Sequence, residues 1–226
     1  MDLSQLGTVL LIPALLLAVF AQFKVSSTFN KYSKVNAESG YTGREVARMI
    51  LDRNGLEDVE VVSVAGNLTD HYDPRTRVVR LSEGVYNKTS ISAISVAAHE
   101  VGHAVQDKEE YVPLTIRTSL VPAVNFASQS AFIILFIGIF MSQFRFLINV
   151  GIALFAVTVI FQIITLPVEF NASSRALENL EGYGILARDE VGEGKSVLQA
   201  AALTYVASTL MALVQLIRLL GMRRRD

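Results

Sequence analysis

The sequence predicts a mainly α integral membrane protein, with four transmembrane helices and a small α+β domain. Three observations predict it. Four apolar stretches, at about residues 3–23, 123–141, 146–167 and 197–220, each approach or pass the ~20 residues that cross a bilayer as a helix. The polar residues gather between the first and second stretches, where helical and strand spacing alternate. Hydrophobic residues make up 51% of the 226-residue chain and charged ones 18%, against about 25% charged in a soluble domain.

Taken in order, residues 1–23 read as an uncleaved anchor, because no positive region precedes the apolar run. Residues 24–120 form a membrane-adjacent portion. Within it, Val46, Met49 and Ile50 recur at helical spacing and Gly55 ends the pattern. The β-branched run Val59–Val64 predicts one strand, and Arg77–Leu81 a second. Asp70-His71-Tyr72-Asp73-Pro74-Arg75 between them reads as a turn. Ser90 is placed to cap a helix with Ile91, Ile94, Ala98, Val101 and Val105 on its apolar side. Residues 121–168 predict a two-span hairpin, since only Ser142-Gln143-Phe144-Arg145 separates its arms. A polar helix follows over residues 169–196, then a fourth span and a basic tail over residues 197–226. In that last span Thr204, Ser208 and Gln215 share one face, which is expected to look into the bundle and make hydrogen bonds between helices.

The capped helix carries His99-Glu100-Val101-Gly102-His103. Residues four apart lie one turn apart on one helical face, so His99 and His103 can chelate a single ion. Glu100 lies beside it as the general base of a metal-assisted hydrolysis. Zinc suits such ligands, and it lowers the pKa of bound water to about 7 while polarising a carbonyl. The chain has no cysteine, which excludes disulfides, thiolate zinc sites and cysteine catalysis. Its formal net charge of −1 argues against nucleic acid as a partner, since a phosphate-binding surface needs a clear basic excess.

A catalytic zinc takes a third protein ligand and keeps one open position. His71 is the only other histidine, but its turn reads as solvated. Asp107 points along the motif helix rather than across the ion. Glu169 is the favoured candidate: it sits where the third span ends, and a carboxylate there is costly unless paired or ligating. Two crossings separate it from His103, which returns the chain to the same side. Glu178 and Glu181 read as the solvated face of the helix that follows.

The residues Ala97-Ala98-His99-Glu100-Val101-Gly102-His103-Ala104, and Pro167-Val168-Glu169-Phe170-Asn171-Ala172-Ser173-Ser174-Arg175-Ala176 after the two-span hairpin, resemble the YugP-like neutral zinc metallopeptidases. These are integral-membrane minigluzincins, more distantly similar to the HtpX-type and CAAX-prenyl endopeptidases. The resemblance covers nearly the whole chain. It implies a small minigluzincin catalytic domain, one Zn2+ held by His99, His103 and Glu169, and Glu100 as the base that activates a zinc-bound water. It also implies a multi-pass bacterial or archaeal cell-membrane protein acting on peptides or proteins, membrane proteins among them. The relatives' glutamate helix reads Glu-x-x-Ala-Asp, with the aspartate supporting a ligating histidine. Ser173 stands in the aspartate's place and retains a hydrogen bond while adding less basicity. The family's edge strand ahead of the zinc helix corresponds to Arg77 with Val78, Val79, Arg80 and Leu81, which would bind an extended peptide by strand addition.

Two other readings use the same motif. A site-2-type intramembrane protease takes its third ligand from an Asp-Gly pair within a later span, and no span here contains an aspartate. A non-catalytic membrane scaffold or chaperone with a relict site would not need an intact base. As for orientation, Arg145 and the Arg223-Arg224-Arg225 tail share one side, and the positive-inside rule makes that side cytoplasmic. The active site is then expected to face outward, against a weaker counterweight from Lys24, Lys31, Lys34, Arg117 and Arg175.

Overall fold

A computed structural model describes residues 3–223. The helices are α1 (Leu3–Tyr32), α2 (Gly43–Arg53), α3 (Ile91–Lys108), α4 (Val112–Phe140), α5 (Phe146–Gly182) and α6 (Val191–Arg223). The strands are β1 (Glu60–Val64), β2 (His71–Asp73) and β3 (Val78–Ser82). A single 3-10 turn, Ser142–Phe144, joins α4 to α5. Arg224 and Arg225, the end of the basic tail, lie outside the described residues. The protein is thus an α-helical membrane protein with a small α+β portion.

Among the described residues, four helices are long and apolar enough to cross a membrane. They outrun the spans read from the sequence. The 37 residues of α5 extend about 55 Å at 1.5 Å per residue, beyond a hydrocarbon core of about 30 Å. Hydropathy marks only where the side chains turn polar. The backbone ladder continues until Gly184, at φ 64°, follows the end of α5.

The chain forms two compact units. One comprises residues up to Ala21, Thr115–Pro167 and Thr204 onward. In it, Ala131 and Leu135 of α4 pack against Ile152, Phe155 and Val159 of α5 and Leu219 of α6. The hairpin arms approach so closely that a Cβ on Gly151 would lie 2.5 Å from Leu135 Cγ. The polar face expected of Thr204, Ser208 and Gln215 is corrected at Ser208, which is exposed; Thr204 and Gln215 are half-buried, and the neighbouring Thr209 is buried. Its hydroxyl lies 2.8 Å from the Tyr205 carbonyl and 3.4 Å from that of Gln162. A shift of one residue turns a helical position by about 100°, enough to exchange the inner face for the outer.

The other unit comprises Gln22–Leu114 and Val168–Leu203. Helix α2 opens with a capping box: Glu45 N–H donates to Thr42 Oγ1 (3.3 Å) and Thr42 N–H to Glu45 Oε2 (2.8 Å). The Thr42 bonds hold the Glu45 carboxyl below its usual range. Val46, Ala47, Ile50 and Leu51 of α2 are fully buried with Ile91, Ile94, Ala98 and Val101 of α3. Arg48 closes the turn after α2, donating to the Val59 and Leu56 carbonyls at 2.6 and 2.8 Å. As expected, Ser90 caps α3, accepting from Ala93 N–H.

The three-stranded sheet has the order β1-β3-β2, with β1 parallel and β2 antiparallel to β3. This corrects two expectations. The segment read as a turn contains β2, and the turn itself occupies residues 74–77. Val78, Val79 and Arg80 are therefore paired on both sides, and Leu81, paired with Ser63 of β1, continues the same central strand, so this segment is not an edge. His71↔Arg80, Tyr72↔Val79 and Asp73↔Val78 form the second set of partners. Three residues beside a turn are too short to signal a strand by composition, and pairing with β3 makes them one.

Candidate metal centre

Helix α3 presents His99 and His103 one turn apart, with ring centroids 4.8 Å from each other. Across from them α5 brings Glu169, which is almost fully buried. The two helices meet at the motif because residue 102 has no side chain: a Cβ there would lie 2.7 Å from the Ala172 carbonyl oxygen. Any larger residue would force α5, and Glu169 one turn before Ala172, away from α3.

The Glu169 Oε2 atom lies 3.2 Å from His99 Nε2 and 3.6 Å from His103 Nε2. One ligand atom from each of these three residues falls within 4.8 Å of the others. Tetrahedral zinc with bonds near 2.0–2.1 Å separates its ligand atoms by about 3.3 Å, so the two His–Glu distances bracket the required edge. Two imidazoles and a carboxylate also match the donor set of His2Glu catalytic zinc sites. Burial opposes a charge on His103, yet the Glu169 hydrogen bond and the charges of Glu169 and Glu100 outweigh it, holding His103 above its usual range. The site favours positive charge, and the residues fit a divalent cation.

The remaining predicted residues fall as follows. Glu100 is buried beside the two histidines, and its Oε2 accepts the Tyr72 N–H at 3.1 Å. Ser173 Oγ lies 3.2 Å from His99 Nδ1. His71 is exposed, with Nδ1 2.8 Å from the Thr69 carbonyl, and takes no part in the three-residue group. Asp107 accepts the Tyr72 hydroxyl at 2.8 Å, which, after burial, pushes the phenol well above its usual range. Glu178 and Glu181 are exposed, as expected of a solvated face.

Several contributors escaped the sequence reading. Gln106 is fully buried, and its Oε1 lies 2.9 Å from His103 Nδ1. Its amide nitrogen donates to the Val168 carbonyl (2.8 Å) and to Asn171 Oδ1 (2.9 Å). Arg175 Nε donates to the same Asn171 oxygen at 2.7 Å, and its guanidinium pairs with Glu109 at 2.6 Å, holding that carboxyl below its usual range. The available signal was a lone amide beside the apolar stripe of α3, together with Asn171 and Arg175 four apart on one face of α5. Nothing in the local sequence marked the Tyr72 amide, which acts through its backbone.

Comparison with known proteins gives the arrangement its family. Residues 7–224 match the family described as "Putative neutral zinc metallopeptidase". Over 209 residues the chain is 56% identical to the "Putative membrane protease YugP" of Bacillus subtilis (strain 168), covering 92% of each chain. No solved structure matches. The family match spans both histidines, Glu100 and Glu169, and the chain belongs to the YugP-like family of neutral zinc metallopeptidases.

Proposed function

We propose that this protein is a membrane-embedded zinc endopeptidase of the gluzincin type, binding one ion through His99, His103 and Glu169. The observation that carries the reading is the convergence of these three donors beside a buried carboxylate, Glu100, on the same helix as the histidines. When bound, zinc supplies a Lewis acid that polarises the scissile carbonyl and acidifies water. Glu100 takes a proton from the water whose oxygen bonds to the carbonyl carbon. As the C–N bond breaks, Glu100 returns that proton to the leaving amine, giving a new carboxyl group and a free amine. Tyr72 N–H holds one oxygen of Glu100, so the base is aimed before substrate arrives.

The same contact relocates the proposed substrate strand. In an antiparallel pair, backbone N–H groups point alternately toward and away from the partner. The Tyr72 N–H turns away from β3 and toward α3, so β2 is the edge that an extended peptide would join. Partners are therefore peptides or proteins in extended form. The site is proposed to face outward, opposite Arg145. A cysteine at position 145, in a chain with no native thiol, should resist an impermeant label applied outside intact cells.

The test of the mechanism is Glu100→Gln. It should abolish chelator-sensitive hydrolysis, a loss of about 10²–10⁴-fold, while zinc still co-purifies. Full activity in that variant would sink the mechanism. Zinc binding without chelator-sensitive cleavage in the native chain would favour a scaffold.

A further inference from the structure

We propose that Gln106 is a positioning residue that fixes the proton of His103 on Nδ1, keeping Nε2 as a lone pair for the metal, with the polarity set from Arg175 through Asn171. This inference deepens the zinc-site reading above and rests on it. It follows link by link from which groups can only donate and which can only accept. A guanidinium has no acceptor, so the Arg175 Nε contact makes Asn171 Oδ1 the accepting atom. Gln106 faces that same oxygen and the Val168 carbonyl, and a carbonyl cannot donate. Both contacts therefore take the Gln106 amide nitrogen, and each alone would set its orientation. The remaining Gln106 atom, Oε1, can only accept. Facing it at 2.9 Å, His103 Nδ1 must carry a hydrogen.

Full burial of Gln106 excludes solvent from the exchange. Its Val168 bond also ties α3 to the residue preceding Glu169, so one side chain orients a histidine and anchors the carboxylate's helix. The two histidines differ in this respect. His99 Nδ1 meets the Ser173 hydroxyl, which can rotate to donate or accept and imposes no tautomer. His103 meets an amide whose direction is set from outside the site, ending at the Glu109–Arg175 ion pair.

The experiment measures zinc affinity of the full-length chain in detergent by competition with a chromophoric chelator, alongside the absorption spectrum of the Co2+-loaded protein. Gln106→Leu should weaken zinc binding about 10–100-fold and alter the cobalt spectrum. Gln106→Glu keeps an acceptor toward Nδ1 but sets a carboxylate oxygen against the Val168 carbonyl and Asn171 Oδ1, so it should recover only part of the affinity lost in Gln106→Leu. Asn171→Leu should lose less than Gln106→Leu, because the Val168 carbonyl still orients the amide. A folded Gln106→Leu chain with native zinc affinity and an unchanged cobalt spectrum would overturn the inference and leave the zinc site standing. If that variant does not fold, Gln106→Met, of similar length and without the amide, takes its place, and native zinc affinity with an unchanged cobalt spectrum there overturns the inference equally. An Asn171→Leu chain indistinguishable from native overturns the part assigned to Arg175 and Asn171 but not that of Gln106, and the expected order supports both. A native chain that binds no zinc would overturn the site and this inference together.

Discussion

In the unit containing the metal centre, Ile50, Leu51, Ile91 and Ile94 are fully buried, whereas in the membrane unit Phe20, Ile133 and Phe136 are more than half exposed. Both sets are large apolar side chains, and the solvent differs. Water drives apolar side chains inward, at roughly 25 cal/mol per Å² buried. Lipid tails are as apolar as leucine and exert no such drive, so helices there associate by close packing, as at Gly151 against Leu135. One helix, α5, supplies residues to both units, and its Glu169 belongs to the water-driven one.

Removing a proposed zinc ligand tests the unit with the buried site most severely. Glu169→Ala should lower hydrolysis by more than the ~10–100-fold that loss of a ligand's supporting partner costs. Zinc content measured on the purified chain should fall with it; native zinc occupancy would remove Glu169 from the site. Core truncation comes next. Leu51→Ala should destabilise the chain by about 2–5 kcal/mol, from lost transfer energy plus the cavity left behind. Ile133→Ala, in contrast, should change stability in detergent or bicelles by less than about 0.5 kcal/mol, because its side chain faces lipid in either state. Equal costs at the two positions would break the comparison.

A charge reverses the ranking at the lipid face. Ile133→Lys should cost about 2.5–3.5 kcal/mol in membrane-insertion assays, provided this position lies near the middle of its span. Insertion as efficient as in the native chain would show that this face does not meet lipid. A smaller loss is expected at a helix end in the buried-core unit. Thr42→Ala should cost about 1 kcal/mol by thermal unfolding, since Glu45 and the first turn of α2 lose their cap.

The local features were the legible ones. Each span is a run of apolar residues longer than any loop tolerates, and the α3 helix announces itself through Ser90, its periodic apolar face and two histidines four apart. Glu169 was legible because a carboxylate at the end of an apolar run needs a reason. The sheet was half legible: β1 and β3 are β-branched runs, yet the family resemblance placed β3 at an edge. Strand order depends on pairing between segments distant along the chain, and β2 becomes a strand only through that pairing. Ser208 and Thr209 show the same limit at finer scale, where one residue of helical phase decides which hydroxyl is buried.

The sequence by itself determined a four-span membrane protein and a candidate metal-binding motif, because chain-local periods and spacings carry both. Only the tertiary structure decided how the metal centre is built. The 2.7 Å approach at Gly102 sets the distance between α3 and α5, the Tyr72 backbone aims Glu100, and Gln106 orients His103. Each of these joins segments far apart in the chain, through a missing side chain, a main-chain amide or a buried amide. Such partners leave no periodic trace in sequence, since their meaning depends on what the fold brings opposite them.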